Sequence, residues 1–203
     1  MSKLTDKQAL ELWRRYNEGL AKDIDVDESL SRYDIDKKRA ELEADPIAWI
    51  LYFFPTYAKY EFAPFQVKAI RRIIANEEWY EVLSWSRELA KSTVAMFVIM
   101  YLTLTKRKRF VALASATIDA AERLLAPYKI NFEKNPRLQQ LYGKQEVLGM
   151  WTDREFSCSC GAKFIALGAG SAPRGMRNEA IRPDVLYFDD YDTDEDCRNP
   201  VTL

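Results

Sequence analysis

The sequence predicts an α/β fold: a mostly parallel sheet with helices on both faces, preceded by an N-terminal helical segment. Three observations carry this. Short aromatic or β-branched stretches at Trp79–Leu83, Phe110–Ala114 and Asp184–Asp190 alternate with helical patterns, the rhythm of a sheet built from crossover units. Val94–Leu104 is apolar at almost every position, which suits a helix buried inside a layered domain better than one lying on a surface. Between the first of those strands and that helix lies SWSRELAKST, Ser84–Thr93, which reads as a phosphate-binding loop.

Taken in order, Leu10, Trp13, Tyr16 and Leu20 recur at helical spacing and form one apolar stripe. Asp23–Asp45 alternates acids and bases, the composition of a surface helix or a loose connector. Asp45–Ile74 is dense in aromatics and interrupted by Pro46, Pro55 and Pro64, and reads as a hydrophobic brace. After Pro64 a helix turns Val67, Ile70, Ile73 and Ile74 inward. Lys106–Arg109 is a basic turn, open to DNA phosphates or simply to solvent. Beyond the second strand, Thr117 can cap a helix whose inner side carries Leu124, Leu125, Tyr128 and Phe132. Asn131–Leu148 predicts a less regular, helix-containing connection. Glu155–Cys158 and Lys163–Leu167 predict a hairpin around Gly161.

Length and composition set bounds. A chain of 203 residues holds one sizeable core and a helical appendage, divided here as residues 1–44 and 45–203. Lys plus Arg is 30 against 31 for Asp plus Glu, so no global basic field announces nucleic acid, and a DNA contact would be a local patch. The longest apolar run is too short for a bilayer, and MSKLTDKQ has no apolar signal core; a soluble intracellular protein is expected. With Cys158, Cys160 and Cys197 and no histidine, an ordinary zinc quartet is excluded, and the cysteines read as reduced thiols at a hairpin.

The chemistry of Ser84–Thr93 follows from its position before a helix. Backbone N–H groups at a helix N-terminus favour anions, Lys91 can reach the β- and γ-phosphates, and the Ser92 hydroxyl can ligate Mg²⁺. The two glycine positions of the consensus loop fall on Trp85 and Ala90. Far along the chain, an apolar strand ends in Asp189, which puts that carboxylate at the sheet edge where ligands of open α/β folds gather. Asp189 would hold Mg²⁺ opposite Ser92, and Asp190 or Glu195 would act as general base. Gly168, Gly170 and Gly175 lack the spacing of a dinucleotide fingerprint.

Ser86–Thr93, SRELAKST, resembles the variant phosphate loop of large terminase subunits, the ATP-driven DNA-packaging motors of tailed bacteriophages. That loop typically begins Ser-Arg, lacks the first glycine and ends in a small residue followed by Lys-[Ser/Thr]. Phe62-Ala63-Pro64-Phe65-Gln66 is similar to the family's aromatic-proline-aromatic-glutamine segment, and Ser171, Arg174 and Gly175 to its Ser-x-x-Arg-Gly element.

The resemblance spans about Asp45–Pro200 and implies a terminase-like P-loop NTPase fold over residues 45–203. It implies ATP and Mg²⁺ as cofactors, with Ser86, Arg87, Glu88, Leu89, Ala90, Lys91, Ser92 and Thr93 around the phosphates. Gln66 would read adenine, with helix capping as the competing role. Arg87 would serve as an arginine finger in cis, with an ion pair to Glu88 as its alternative. Terminases commonly place Glu where this chain has Asp190. The implied partners are double-stranded DNA, a small terminase subunit and a portal protein, in a homo-oligomeric ring on the procapsid, within the bacterial host cytoplasm. The chain stops before the family's coupling segment and nuclease domain, so a truncated fragment is expected. A nucleotide-binding or interaction module without turnover and a helicase-like NTPase fragment are the alternatives.

Overall fold

A computed structural model of the chain describes residues 24–27, 29–58, 60–169 and 182–191. Caps and prolines divide its first half into helices. Ser31 and Asp34 form a reciprocal capping box that starts α1, Arg32–Ala44. No α1 residue is fully buried, as its alternating charges foretell. Asp45 accepts from the Ile47 N–H at 3.0 Å and, with Pro46 behind it, starts α2, Pro46–Phe53. Helix α3 is Pro64–Ala75, with Ala69, Ile70 and Ile74 buried.

The aromatic brace is real. Trp49, Phe53, Phe54, Tyr57, Phe62, Phe97 and Tyr101 meet with ring centroids 4.8–6.1 Å apart, mostly tilted or edge-on. Each such pair adds about 0.5–1.5 kcal/mol beyond its area burial. Against it lies α4, Lys91–Leu104, buried at every position from Val94 onward. A helix without a solvent stripe needs its hydroxyls satisfied internally, and Thr103 Oγ1 donates back to Ile99 O at 2.9 Å.

Strand β1, Phe110–Ser115, is buried along its whole length, so it reads as a continuous apolar run. Thr117 then caps α5, Ile118–Lys134, which packs on β1 and on β4, Lys163–Gly168. Asn135 caps α6, Pro136–Tyr142. Its Oδ1 accepts from Leu138 N–H at 3.2 Å and its Nδ2 donates to Phe53 O at 2.7 Å, with the side chain fully buried. Asn135→Ala removes a cap and leaves a buried carbonyl unpaired. It should therefore cost about 2–4 kcal/mol, read as a lower urea midpoint at unchanged slope.

The expected mostly parallel sheet of a P-loop NTPase is corrected by the observed topology. The remaining strands are β2 (Glu146–Trp151), β3 (Glu155–Cys158) and β5 (Val185–Phe188), and the sheet runs β2-β3-β4-β1-β5. Among the described residues the parallel pairs are β1–β4 and β1–β5; β2–β3 and β3–β4 are antiparallel. The sheet is mixed. Connections of a few residues cannot cross over, so the consecutive β2, β3 and β4 must meander.

The stretch foreseen as the first strand, Trp79–Leu83, does not join the sheet. Glu81 instead binds the Arg72 guanidinium at Nε and Nη2, and accepts from Trp79 Nε1 at 2.6 Å. Burial raises the Glu81 pKa, but those hydrogen bonds and the Arg72 charge outweigh it and hold the carboxyl below its usual range. The less regular, helix-containing connection foreseen at Asn131–Leu148 ends α5, forms its helix as α6 and then begins β2. The helix foreseen around Leu10–Leu20 lies outside the described residues.

Candidate functional site

Loop Ser86–Ala90 reaches α4 through two residues in the left-handed region, Glu88 at φ 67° and Ala90 at φ 57°. Ala90 occupies the second consensus-glycine position, and this angle is the physical reason for glycine there: an L side chain is strained at it. Ala90→Gly should relieve that strain while loosening the unfolded chain. The net gain expected is about 0.5–1 kcal/mol, measured as a higher thermal midpoint. Ala90 gives α4 no side-chain cap, and the first backbone bond of the helix runs from Val94 N–H to Ala90 O at 2.9 Å. The N–H groups ahead of it are those that a helix cannot satisfy by itself.

Across from this helix start, β5 leads into Asp189, whose N–H donates to Ala114 O at 3.1 Å. Asp190, at φ 44°, accepts on its carbonyl from Ala116 N–H at 3.1 Å. Ser92 Oγ donates to Asp189 Oδ2 at 2.6 Å, joining residues 97 positions apart in sequence. Tyr187 OH donates to the same oxygen at 3.2 Å. Burial pushes the Tyr187 hydroxyl well above its ordinary range, and the Asp189 and Asp190 carboxylates reinforce the shift. It stays protonated, a fixed donor to Asp189.

The foreseen residues divide clearly. Lys91 and Thr93 are half-buried at the α4 start, and Ser92 is exposed beside them, facing Asp189. Ser86, Arg87, Glu88 and Leu89 are exposed on the loop. Among the described residues neither Arg87 nor Lys91 forms an ion pair. Both ends of the Gln66 amide are engaged: Oε1 accepts from Ala63 N–H at 2.9 Å, and Nε2 donates to Leu89 O at 3.1 Å. Gln66 thus ties α3 to the phosphate loop, while Phe65 meets Trp85 edge-on at 5.0 Å. In the basic turn, Arg107 donates to Ile74 O and Lys108 to Glu77 O, so these two cations brace the end of α3. Glu195, Ser171, Arg174, Gly175 and Cys197 lie outside the described residues.

Two residues escaped the sequence reading. Tyr187 sits two positions before Asp189 on the same strand face, and that spacing was a usable signal. Arg123 is the other. With Ser115, Ala116, Ala120, Leu124, Asp189 and Asp190 it lines an open cavity of about 400 Å³. Ala120, Arg123 and Leu124 share one face of α5 by their spacing, but only the fold shows that this face meets the acids. A larger cavity of about 580 Å³ lies along α5, where Asp119, Glu122, Lys129, Glu133 and Asp153 mix both signs of charge. Lys129 and Asp153 pair there at 2.7 Å, so no single sign of charge awaits a ligand.

The donor set beside Ser92 consists of oxygens, a hydroxyl and a carboxylate, and suits a hard divalent cation. Among the described residues no group of three or more acidic, cysteine or histidine side chains could cage a metal unaided. Mg²⁺ typically takes one or two carboxylates and completes its shell with phosphate oxygens and water.

No protein-family model matches the chain. A search of curated proteins finds no match either.

Proposed function

We propose that this chain binds ATP with Mg²⁺ at the Ser86–Thr93 loop and hydrolyses it, as the ATPase part of a DNA-packaging motor of the large terminase kind. The observation that supports this most is the 2.6 Å bond between Ser92 and Asp189. It joins a helix-start hydroxyl to a strand-end carboxylate, the two protein ligands that nucleotide-bound Mg²⁺ uses in such motors. In this reading Lys91 and the α4 N–H groups hold the phosphates, and Ser92 and Asp189 hold the cation. Bound Mg²⁺ would neutralise charge developing on the β- and γ-oxygens. Asp190 orients the attacking water, and Arg87, exposed and without an acidic partner among the described residues, stabilises the transferred phosphoryl group.

The packaging role draws on the Ser-Arg loop start, the Pro64-Phe65-Gln66 segment and the Arg174-Gly175 element. Double-stranded DNA, a small subunit, a portal protein and a ring of like subunits are its proposed partners, in the host cytoplasm. No helix among the described residues is long and apolar enough to cross a membrane.

Hydrolysis of radiolabelled ATP, with and without double-stranded DNA, tests the proposal. Asp190→Asn should lower kcat by about 100-fold or more, the usual contribution of a positioned base, while ATP still binds. If Glu195→Gln has that effect and Asp190→Asn has none, the base is Glu195. A second reading, binding without turnover, is favoured by the aspartate at position 190, shorter by one methylene than the family's glutamate. It predicts that wild type binds ATP and releases no phosphate. Absence of ATP binding to wild type overturns both.

A further inference from the structure

The turn between β3 and β4 holds two sulfurs that the nucleotide chemistry does not use. Gly161 N–H donates to Cys158 O at 2.9 Å, closing a turn over residues 158–161 with Gly161 at φ 93°. Such a turn brings its ends within about 7 Å, and Cys160 lies inside that span. A disulfide spans Cα atoms about 4.4–6.8 Å apart, a reach on the scale of this closed turn. The two thiols are also near enough to perturb each other's acidity.

The turn is also held from outside. Ser159 N–H donates to Gln145 O at 2.9 Å, Ser159 Oγ to Lys144 O at 2.8 Å, and Cys160 N–H to Gln145 Oε1 at 3.1 Å. Gln145 is itself buried, and its Nε2 donates to Tyr142 O at 2.8 Å. The sulfurs are thus presented by a clamped backbone. They differ in access: Cys158 is buried and Cys160 half-buried.

We propose that Cys158 and Cys160 form a dithiol that a low-molecular-weight disulfide oxidises to an intra-turn disulfide. The Cys160 thiolate attacks one sulfur of the reagent and expels one thiolate, which takes a proton from water. Cys158 then loses its proton to solvent and attacks Cys160 Sγ, expelling the second thiol. Two protein thiols are oxidised to one disulfide, and the reagent is reduced to two thiols. The order follows from environment. The neighbouring Cys158 lowers the Cys160 pKa to about 7 against the opposing effect of burial, whereas burial pushes the Cys158 thiol well up. This inference does not rest on the proposed ATPase role.

The test is incubation of the full chain with oxidised glutathione, followed by alkylation of remaining thiols and peptide mass mapping. Wild type should lose both turn thiols to a Cys158–Cys160 disulfide while Cys197 stays alkylated. Cys158→Ser, or Cys158→Ala should the serine variant misfold, should stop at a stable glutathione adduct on Cys160. Cys160→Ser should take up no glutathione at Cys158. A lasting glutathione adduct on wild-type Cys160, a Cys160–Cys197 linkage, or both turn thiols still alkylatable would each overturn it.

Discussion

If the chain is the ATPase proposed above, replacing Lys91 with alanine will abolish ATP turnover and weaken ATP binding by about 10- to 100-fold, without moving the melting midpoint. Lys91 opens α4, next to the Ser92 hydroxyl that reaches Asp189. A triphosphate placed against these N–H groups meets the positive end of the helix dipole, and the Lys91 ammonium adds a full charge that can follow the charge building on the outer phosphates. A charge-assisted hydrogen bond of this sort contributes about 1.5–3 kcal/mol, which sets the expected loss of affinity. The fold should not notice. Lys91 is half-buried, makes no ion pair among the described residues, and precedes the fully buried stretch that begins at Val94. Calorimetric titration with ATP and Mg²⁺, paired with a thermal melt, separates the two effects. Unchanged affinity in Lys91→Ala would sink the nucleotide reading, and a lowered melt would show that Lys91 serves the fold.

Gly168→Val will prevent folding, and Gly168→Ala will cost about 2–3 kcal/mol. A Cβ at this position would lie 2.6 Å from Ile118 N, 3.0 Å from Thr117 C and 3.1 Å from Ile118 Cα. All three are backbone atoms at the start of α5, so no flexible side chain can give way. Overpacking of this kind costs about 1–3 kcal/mol for small additions, and total stability is only about 5–15 kcal/mol. The contact also bears on the site. Ala169 N–H donates to Ser115 O at 2.9 Å, and Ala116 N–H to Asp190 O at 3.1 Å, so prising β4 from α5 disturbs the turn that carries Asp190. Urea unfolding of the alanine variant and the soluble yield of the valine variant read the two effects. A stable Gly168→Val protein would show that the α5 start moves freely away from β4.

Both predictions concern residues that the sequence makes visible, but for different reasons. Lys91 is legible because a small residue, lysine and a hydroxyl at a helix start have a chemistry independent of the fold around them. Gly168 was visible only as a glycine outside any dinucleotide pattern; its use, close approach to Thr117 and Ile118, is a contact across some fifty positions of sequence. Likewise Gln66 could be read as an adenine contact or a cap. The structure shows its amide capping α3 and holding Leu89 O.

By itself the sequence determined the elements whose causes are local. The Thr117 cap, the apolar run of α4, the turn at Gly161 and the strand that leads into Asp189 are all set by neighbours within a few positions. It also placed Ser92 and Asp189 in one site. Only the tertiary structure decided how the strands pair: two parallel pairings on β1 and two antiparallel ones along β2, β3 and β4, with Trp79–Leu83 outside the sheet and its Glu81 bound by Arg72. Strand order is chosen by side chains far apart in sequence, through burial and hydrogen bonds that no local pattern encodes. For the same reason Arg123 and Tyr187 became part of the acidic site only once α5 and β5 were in place.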